Sequence, residues 1–390
     1  MARSIATVEI QGDFIDSFVY SGALFLIDAD GVLRTYPWKE LIVAALSRKN
    51  DSMQGSVFSL LTEGGDFVTQ AAAESGVFES KSIYIESTFL SDFEGATIDF
   101  NCWPTDINIY SNNLYIASEN GASKQGFSWD MGRIKEFQKP TVLWDEMAFR
   151  VSPNSMNRTA IAAGQSGVIV TRSNDRKDTA QVLDNACGDV EWKGATLIAN
   201  TVDGPLIAEF EDIPKYSALL GSQAEYWKIV NAIKGKGPTS IEKIEISGKY
   251  ALSSWTGGDR IFAIDREFHL YAASQNKIKD SENRLPDFEA LDSLGSSRDR
   301  DEVKFLSSKT GAFGTVIEFS DALFEFSEHG LQKISDHPVR WRVFPRARNF
   351  ANHLHVVEEH SICIKAFGTV TDSTLFGRFG FSLASIEDSP

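Results

Sequence analysis

Apolar and polar residues alternate in short runs along most of the chain, and Gly, Asn, Asp and Ser separate the runs. The first clear case passes through Phe18 and Tyr20, turns at Ser21-Gly22, and continues as Ala23-Leu24-Phe25-Leu26-Ile27-Asp28. Asp30-Gly31 then leads into Val32-Leu33-Arg34-Thr35-Tyr36. Alternation with a period of two predicts strands. Ser-Gly and Asp-Gly between them predict hairpins, because the turns that suit right-twisted strands need positive φ. Three antiparallel strands in succession are expected.

The unit recurs. Tyr110-Ser111-Asn112-Asn113-Leu114-Tyr115-Ile116 repeats Tyr20 to Leu26 at an offset of 90 residues without a gap, and Asn120-Gly121 falls where Asp30-Gly31 does. Phe319 to Phe324 match again, with Gly330 on the position of Gly31, and looser copies start at Trp192, Ile246 and Phe350. An antiparallel unit of three or four strands cannot bury both of its faces alone, so such units must stack on one another. Two units of about 45 residues per offset lie within the range of propeller blades. The pattern resembles that of β-propeller repeat proteins over nearly the whole chain. No specific family is matched: neither the Gly-His and Trp-Asp dipeptides of WD40 repeats nor the paired glycines of the kelch type recur in step. The resemblance implies an all-β fold, one propeller over residues 1–390 of about seven blades, with six or eight as alternatives. Two β-sandwiches would explain the hairpins but not their common phase.

Two segments break the rhythm. Lys39 to Lys49 predicts a short helix, and residues 215–234 a longer inserted one, with Leu219, Leu220, Trp227, Val230 and Ile233 on helical spacing. Pro214 stands where a helix tolerates it and Gly235 where one ends. The polar stretch 276–302 reads as a long surface loop. Ser4 to Ile10 and Leu375 to Phe381 are the natural strands for joining the two ends.

Charge narrows the function classes. The chain carries 54 acidic against 38 basic side chains, a net charge of −16. Binding to nucleic acid or to an anionic membrane needs surplus positive charge, so neither is expected. The longest apolar run, Leu41 to Leu46, is far shorter than the roughly 20 residues that span a bilayer. Cys102, Cys187 and Cys363 are odd in number and far apart, which fits a reducing compartment and a cytoplasmic location.

Candidate chemistry is sparse. His353 and His355 are two apart in a predicted strand and His360 follows, a conceivable start for a metal site. The repeat register places the first two at the ordinary sheet positions of Ala23 and Phe25, so structural histidines are the preferred reading, and no cofactor is expected. Asp28-Ala29-Asp30-Gly31 opens like a calcium loop but lacks its closing glutamate. No nucleophile elbow, phosphate loop or dinucleotide fingerprint is present. Arg340-Trp341-Arg342, with Arg346 and Arg348, places four arginines within nine residues. Guanidinium groups bind carboxylate or phosphate bidentately, so this cluster is a candidate anion or partner site, an acidic protein segment being the favoured occupant. Pairing with the chain's own carboxylates is the competing account. The expected function is a non-catalytic protein-interaction scaffold or recognition subunit of a larger cytosolic assembly, with Leu219, Trp227 and Val230 of the inserted helix as further contacts. The alternatives are a propeller hydrolase or lyase with a central-channel site, and a small-molecule or sugar sensor that uses its tryptophans.

Overall fold

The computed structural model describes residues 5–48, 54–63, 81–154, 158–171, 179–214, 222–274, 287–293, 303–327, 330–347 and 349–368. Antiparallel pairing gathers the strands into seven radial sheets and one small hairpin. Their first strands are Phe14–Tyr20, Pro104–Tyr110, Arg150–Pro153, Cys187–Lys193, Ser253–Gly257, Phe305–Gly311 and Arg340–Val343. These adjoin one another around a common axis, and each sheet steps outward from its own. The protein is a seven-bladed β-propeller, and its blades are numbered here from Phe14.

The second strand of each blade explains the ring. Ala23–Asp28, Thr196–Thr201, Arg260–Ile264 and His353–Val357 are almost wholly buried, because both faces of each sheet are covered. Side chains alternate between the two neighbours. Leu24 and Leu26 pack toward blade 7 with Val8 and Ile362, whereas Ala23, Phe25 and Ile27 pack toward blade 2 with Ile107 and Ile109. Buried apolar residues of the described chain sort into seven such layers, one between each pair of adjacent blades.

The hairpins at Ser21-Gly22 and Ser111-Asn112 join first to second strands, with φ of 48° and 81°, and 49° and 56°. The copy at Phe319 is one strand out of phase. Its turn joins the second and third strands of blade 6, Gly314–Phe319 and Leu323–Ser327. The copy at Ile246 belongs to no blade: it closes the small hairpin between blades 4 and 5. A tight-turn signature records the local backbone and not the rank of the strand within its sheet.

The first and last described strands meet in blade 7. Ile5–Gln11 pairs antiparallel with Ser361–Phe367, from Ile5 opposite Phe367 to Gln11 opposite Ser361. The expected C-terminal partner, residues 375–381, lies outside the described residues. Lys81–Ile85 then adds a fifth, parallel strand outside Ile5–Gln11. It arrives on an excursion between the third and fourth strands of blade 1, which also supplies helices α1 (Trp38–Ser47), α2 (Gln54–Thr62) and α3 (Ser87–Ser91). Trp38 is fully buried beneath them and donates its indole N–H to the Leu61 carbonyl at 2.7 Å.

Helix α4 (Gln223–Lys234) leaves blade 4 at the corresponding place. Its start is set by a capping box between Ser222 and Glu225 rather than at Pro214, and Leu219 lies outside the described residues. Within 276–302, only residues 287–293 are described, and Glu289–Ser293 is the outer strand of blade 5 rather than part of a loop. Both helical excursions emerge on the face that carries the first-to-second turns, called the lower face below. Second-to-third turns and the connectors between blades form the upper face.

Because Ala6, Val8 and Ile10 are fully buried in the seam, a chain starting at Phe14 should lose its cooperative thermal transition in circular dichroism. Ile10→Ala alone should lower unfolding free energy in denaturant by about 2–5 kcal/mol.

Candidate functional site

The inner strands carry charge toward the axis. In blades 1, 2 and 4 the first strand has a bulge at the same place, and Asp16, Asp106 and Asp189 follow it. Each lies four residues before the last strand residue, so the three are equivalent positions of the repeat. Asp16 and Asp106 are buried.

Arginines of blade 7 reach these carboxylates. Arg342 grips Asp16 bidentately, Nε to Oδ1 at 2.6 Å and Nη2 to Oδ2 at 2.5 Å. Its Nη2 also donates to Asp106 Oδ1 at 3.0 Å. Arg340 donates to Asp16 Oδ2 at 2.6 Å and to the Thr105 carbonyl at 2.8 Å. The network continues through Arg150, which pairs with Asp106 and Asp189, each at 3.3 Å. In the neighbouring tier Lys309 of blade 6 faces Glu191 of blade 4 at 3.9 Å, and Glu191 accepts the Thr256 N–H at 3.0 Å. Burial alone would raise the Asp16 pKa, but Arg342 and Arg340 outweigh it and lower the value to about 2. The same balance lowers Asp106 and raises Arg342.

The guanidinium edges of Arg340 and Arg342 that a docked acidic segment would use are thus occupied by the chain's own carboxylates. Trp341 points away from the axis and donates its indole N–H to Glu318 at 2.9 Å. Arg346 stands apart from the other two, and Arg348 lies outside the described residues. In α4, Val230 is fully buried and anchors the helix, while Trp227 and Ile229 are partly exposed on either flank of the buried stripe. Val230 is therefore not a partner contact. The signal that sequence reading missed is the matched pair Asp16 and Asp106, which stand at the same 90-residue offset as the turns.

The rings of His353 and His355 lie 5.9 Å apart, but His360 does not join them. His353 and His355 are fully buried, with Trp38, Phe344 and Phe350 around them. His360 is an exposed turn residue beside Asp13. His355 Nδ1 shares a 2.8 Å hydrogen bond with the Ser17 hydroxyl. Burial lowers His353 to about 3, partly offset by the Leu60 and Leu61 carbonyls, and pushes His355 well below its ordinary value. Asp28 is a turn brace: its carboxylate accepts the Asp30 and Val32 N–H groups and pairs with Arg34. Asp265 repeats this device in blade 5 with the Glu267 and His269 N–H groups, which brings Asp265, Glu267 and His269 together without implying a metal. Trp38, Trp192 and Trp255 are buried core residues, whereas Trp103 and Trp129 are exposed on opposite faces, so the tryptophans form no common set.

The sequence matches no protein-family model and no curated protein. Among solved structures, the chain is similar to PorZ, a surface component of the type-IX secretion system of Porphyromonas gingivalis. The TM-score is 0.42 with 13% identity, over 89% of this chain and 36% of PorZ. It is also similar to the Pan2 WD40 domain of Neurospora crassa, at a TM-score of 0.46 and 6% identity over 92% and 94% of the two chains. For the C-terminal WD40 domain of Sif2 the TM-score is 0.44 with 8% identity, over 92% and 95%. No argument about function rests on likeness at this level.

Acid should act on the buried histidine before it reaches the carboxylates. His353 takes up a proton near pH 6.5 when unfolded but only near 3 when folded, so stability falls as pH drops below 6.5. Asp16, lowered from 3.8 to about 2, contributes stability that is lost only as pH falls through that lower range. Between pH 7 and pH 5, urea unfolding of the wild type should lose about 2 kcal/mol more stability than that of His353→Gln, since His355 contributes equally to both. At pH 7, Asp16→Asn should cost about 3–5 kcal/mol by leaving two guanidiniums uncompensated.

Proposed function

We propose that this propeller is a non-catalytic scaffold that holds a protein partner on its upper face, within a cytosolic assembly. The observation that carries the reading is a set of large apolar side chains raised on the upper face, on the connector between blades 1 and 2, on a turn of blade 4 and on the hairpin between blades 4 and 5. Trp103 is 66% exposed, Val202 78% and Tyr250 53%. Trp103 is held in place by its N–H bond to the Ala29 carbonyl at 3.0 Å, so its ring is presented without rotamer freedom to lose.

Exposed Asp99, Glu119, Asp184 and Asp203 lie on the same face. Apolar anchors in a charged rim are the anatomy of a docking surface, and this rim favours a partner with basic residues. The three cysteines are free thiols, in keeping with a reducing compartment. Among the described residues no helix is long and apolar enough to cross a membrane.

Capture from the native source with the wild-type protein, compared with a Trp103→Ala, Val202→Asp variant, tests the reading. Expected is a reproducible protein partner whose measured affinity drops about tenfold or more in the variant, while the thermal midpoint stays unchanged. A partner retained equally by both proteins, or no reproducible partner, would overturn it.

A further inference from the structure

Trp103 is the most exposed Trp, Tyr or Phe among the described residues, yet its ring is held. It stands on the upper-face connector between blades 1 and 2, against the turn that follows Ala23–Asp28. Its indole N–H donates to the Ala29 carbonyl at 3.0 Å, and the Phe100 N–H donates to the Gly31 carbonyl at 3.3 Å. A β-carbon at Gly31 would lie 3.0 Å from the Cys102 oxygen and 3.6 Å from Cδ1 of the ring, so turn and connector touch. One edge of the indole is thus fixed against the turn, while most of the residue faces solvent.

Two carboxylates accompany it. Asp30 directly follows the residue that holds the indole, and Asp99 stands opposite Val32, where the outer strand of blade 1 runs into the connector. Both are exposed. Asp99 Oδ1 accepts the Asn101 N–H at 2.8 Å, and among the described residues neither carboxylate meets a cation. Arg34, on the third strand of the same blade, is already taken up by Asp28 at 3.2 Å and Glu94 at 3.1 Å. Two other exposed rings stand beside charges that the chain itself balances. Lys243 Nζ lies 4.9 Å from the centre of the Tyr250 ring. Trp129, on the lower face, is also held, by its N–H bond to Asn112 at 3.1 Å, but the adjacent Asp130 pairs with Lys135 at 3.6 Å. Trp103 has the charge beside it without the cation.

We propose that Trp103, Asp30 and Asp99 form a recognition point for an arginine side chain of the docked protein. This names the chemistry of one part of the upper-face docking surface and rests on that reading. The face of an indole is the negative pole of the ring and attracts a cation. A guanidinium is flat, so it can lie on the ring while its edge N–H groups donate to a carboxylate, which the compact lysine ammonium does less well. Unpaired negative charge beside the ring strengthens the attraction, and a ring already held has little freedom to lose.

Nuclear magnetic resonance of the full chain tests it, with the indole N–H signals observed while the blocked peptide acetyl-Gly-Arg-Gly-amide is added at constant ionic strength. Expected is a saturable shift of the Trp103 signal. The citrulline peptide, equally flat but uncharged, should not produce it, and the lysine peptide should bind more weakly. Asp30→Asn and Asp99→Asn should each weaken the arginine peptide about two- to fivefold, and the Trp129 signal should not saturate. No saturable Trp103 shift, equal shifts with the arginine and citrulline peptides, or unchanged binding in both aspartate variants would overturn the proposal. Its failure is separable from failure of the docking reading. A captured partner that is lost by Trp103→Ala but retained by Trp103→Leu uses the ring as apolar surface only, which overturns the arginine and leaves the docking surface standing.

Discussion

A sheet with two greasy faces cannot end against water, and every blade of this protein is such a sheet. The second strands are the clearest statement of that constraint. Phe25 and Leu26, adjacent in sequence, belong to different packing layers. Each blade therefore needs a neighbour on both sides, and only a closed ring gives one to all seven. Stability is distributed over seven layers rather than held in a single core, so the junction that joins the two chain ends must be as well packed as the other six. The α1–α3 excursion and the parallel strand Lys81–Ile85 thicken that junction.

The axis adds a second, polar level of fastening. Inner strands approach one another edge to edge, and the buried carboxylates of blades 1 and 2 are met by arginines from blade 7. Buried ion pairs contribute little net stability when compared with apolar packing, but removing one member is costly. Their effect is directional. Arg342 contacts both Asp16 and Asp106 and so sets blade 7 against blades 1 and 2 together. A bidentate pair fixes register in a way that interchangeable leucines and isoleucines do not.

Much of this was legible in the sequence. The turns at Ser21-Gly22 and Ser111-Asn112 carry their geometry in their residue types, and the apolar phase that follows them identifies blades 1 and 2. Reading grew weaker where one signal served two arrangements. The turn after Phe319 resembles that after Tyr20, yet it joins different strands of its blade. The polar composition before Glu302 concealed an outer strand, because the fourth strand of a blade is covered on few sides and tolerates charge. Ser222 with Glu225 was a better marker of the α4 start than Pro214. The arginine cluster drew attention to the correct strand, but its partners Asp16 and Asp106 lie more than 200 residues away in sequence, and only closure of the ring brings them together.

Pairing of Ile5–Gln11 with Ser361–Phe367 also imposes a schedule on the growing polypeptide. Ile5–Gln11 is synthesised long before the strand it pairs with, Ser361–Phe367. At about 5–20 residues per second, roughly 20–70 seconds separate the two during synthesis. Throughout that interval a strand bearing Val8 and Ile10 has only Lys81–Ile85 to pair with, and blade 1 lacks the rest of its cover on that side. Birth of this molecule is thus a period of sustained vulnerability, during which a chaperone that shields unpaired edges would matter more than at any later time.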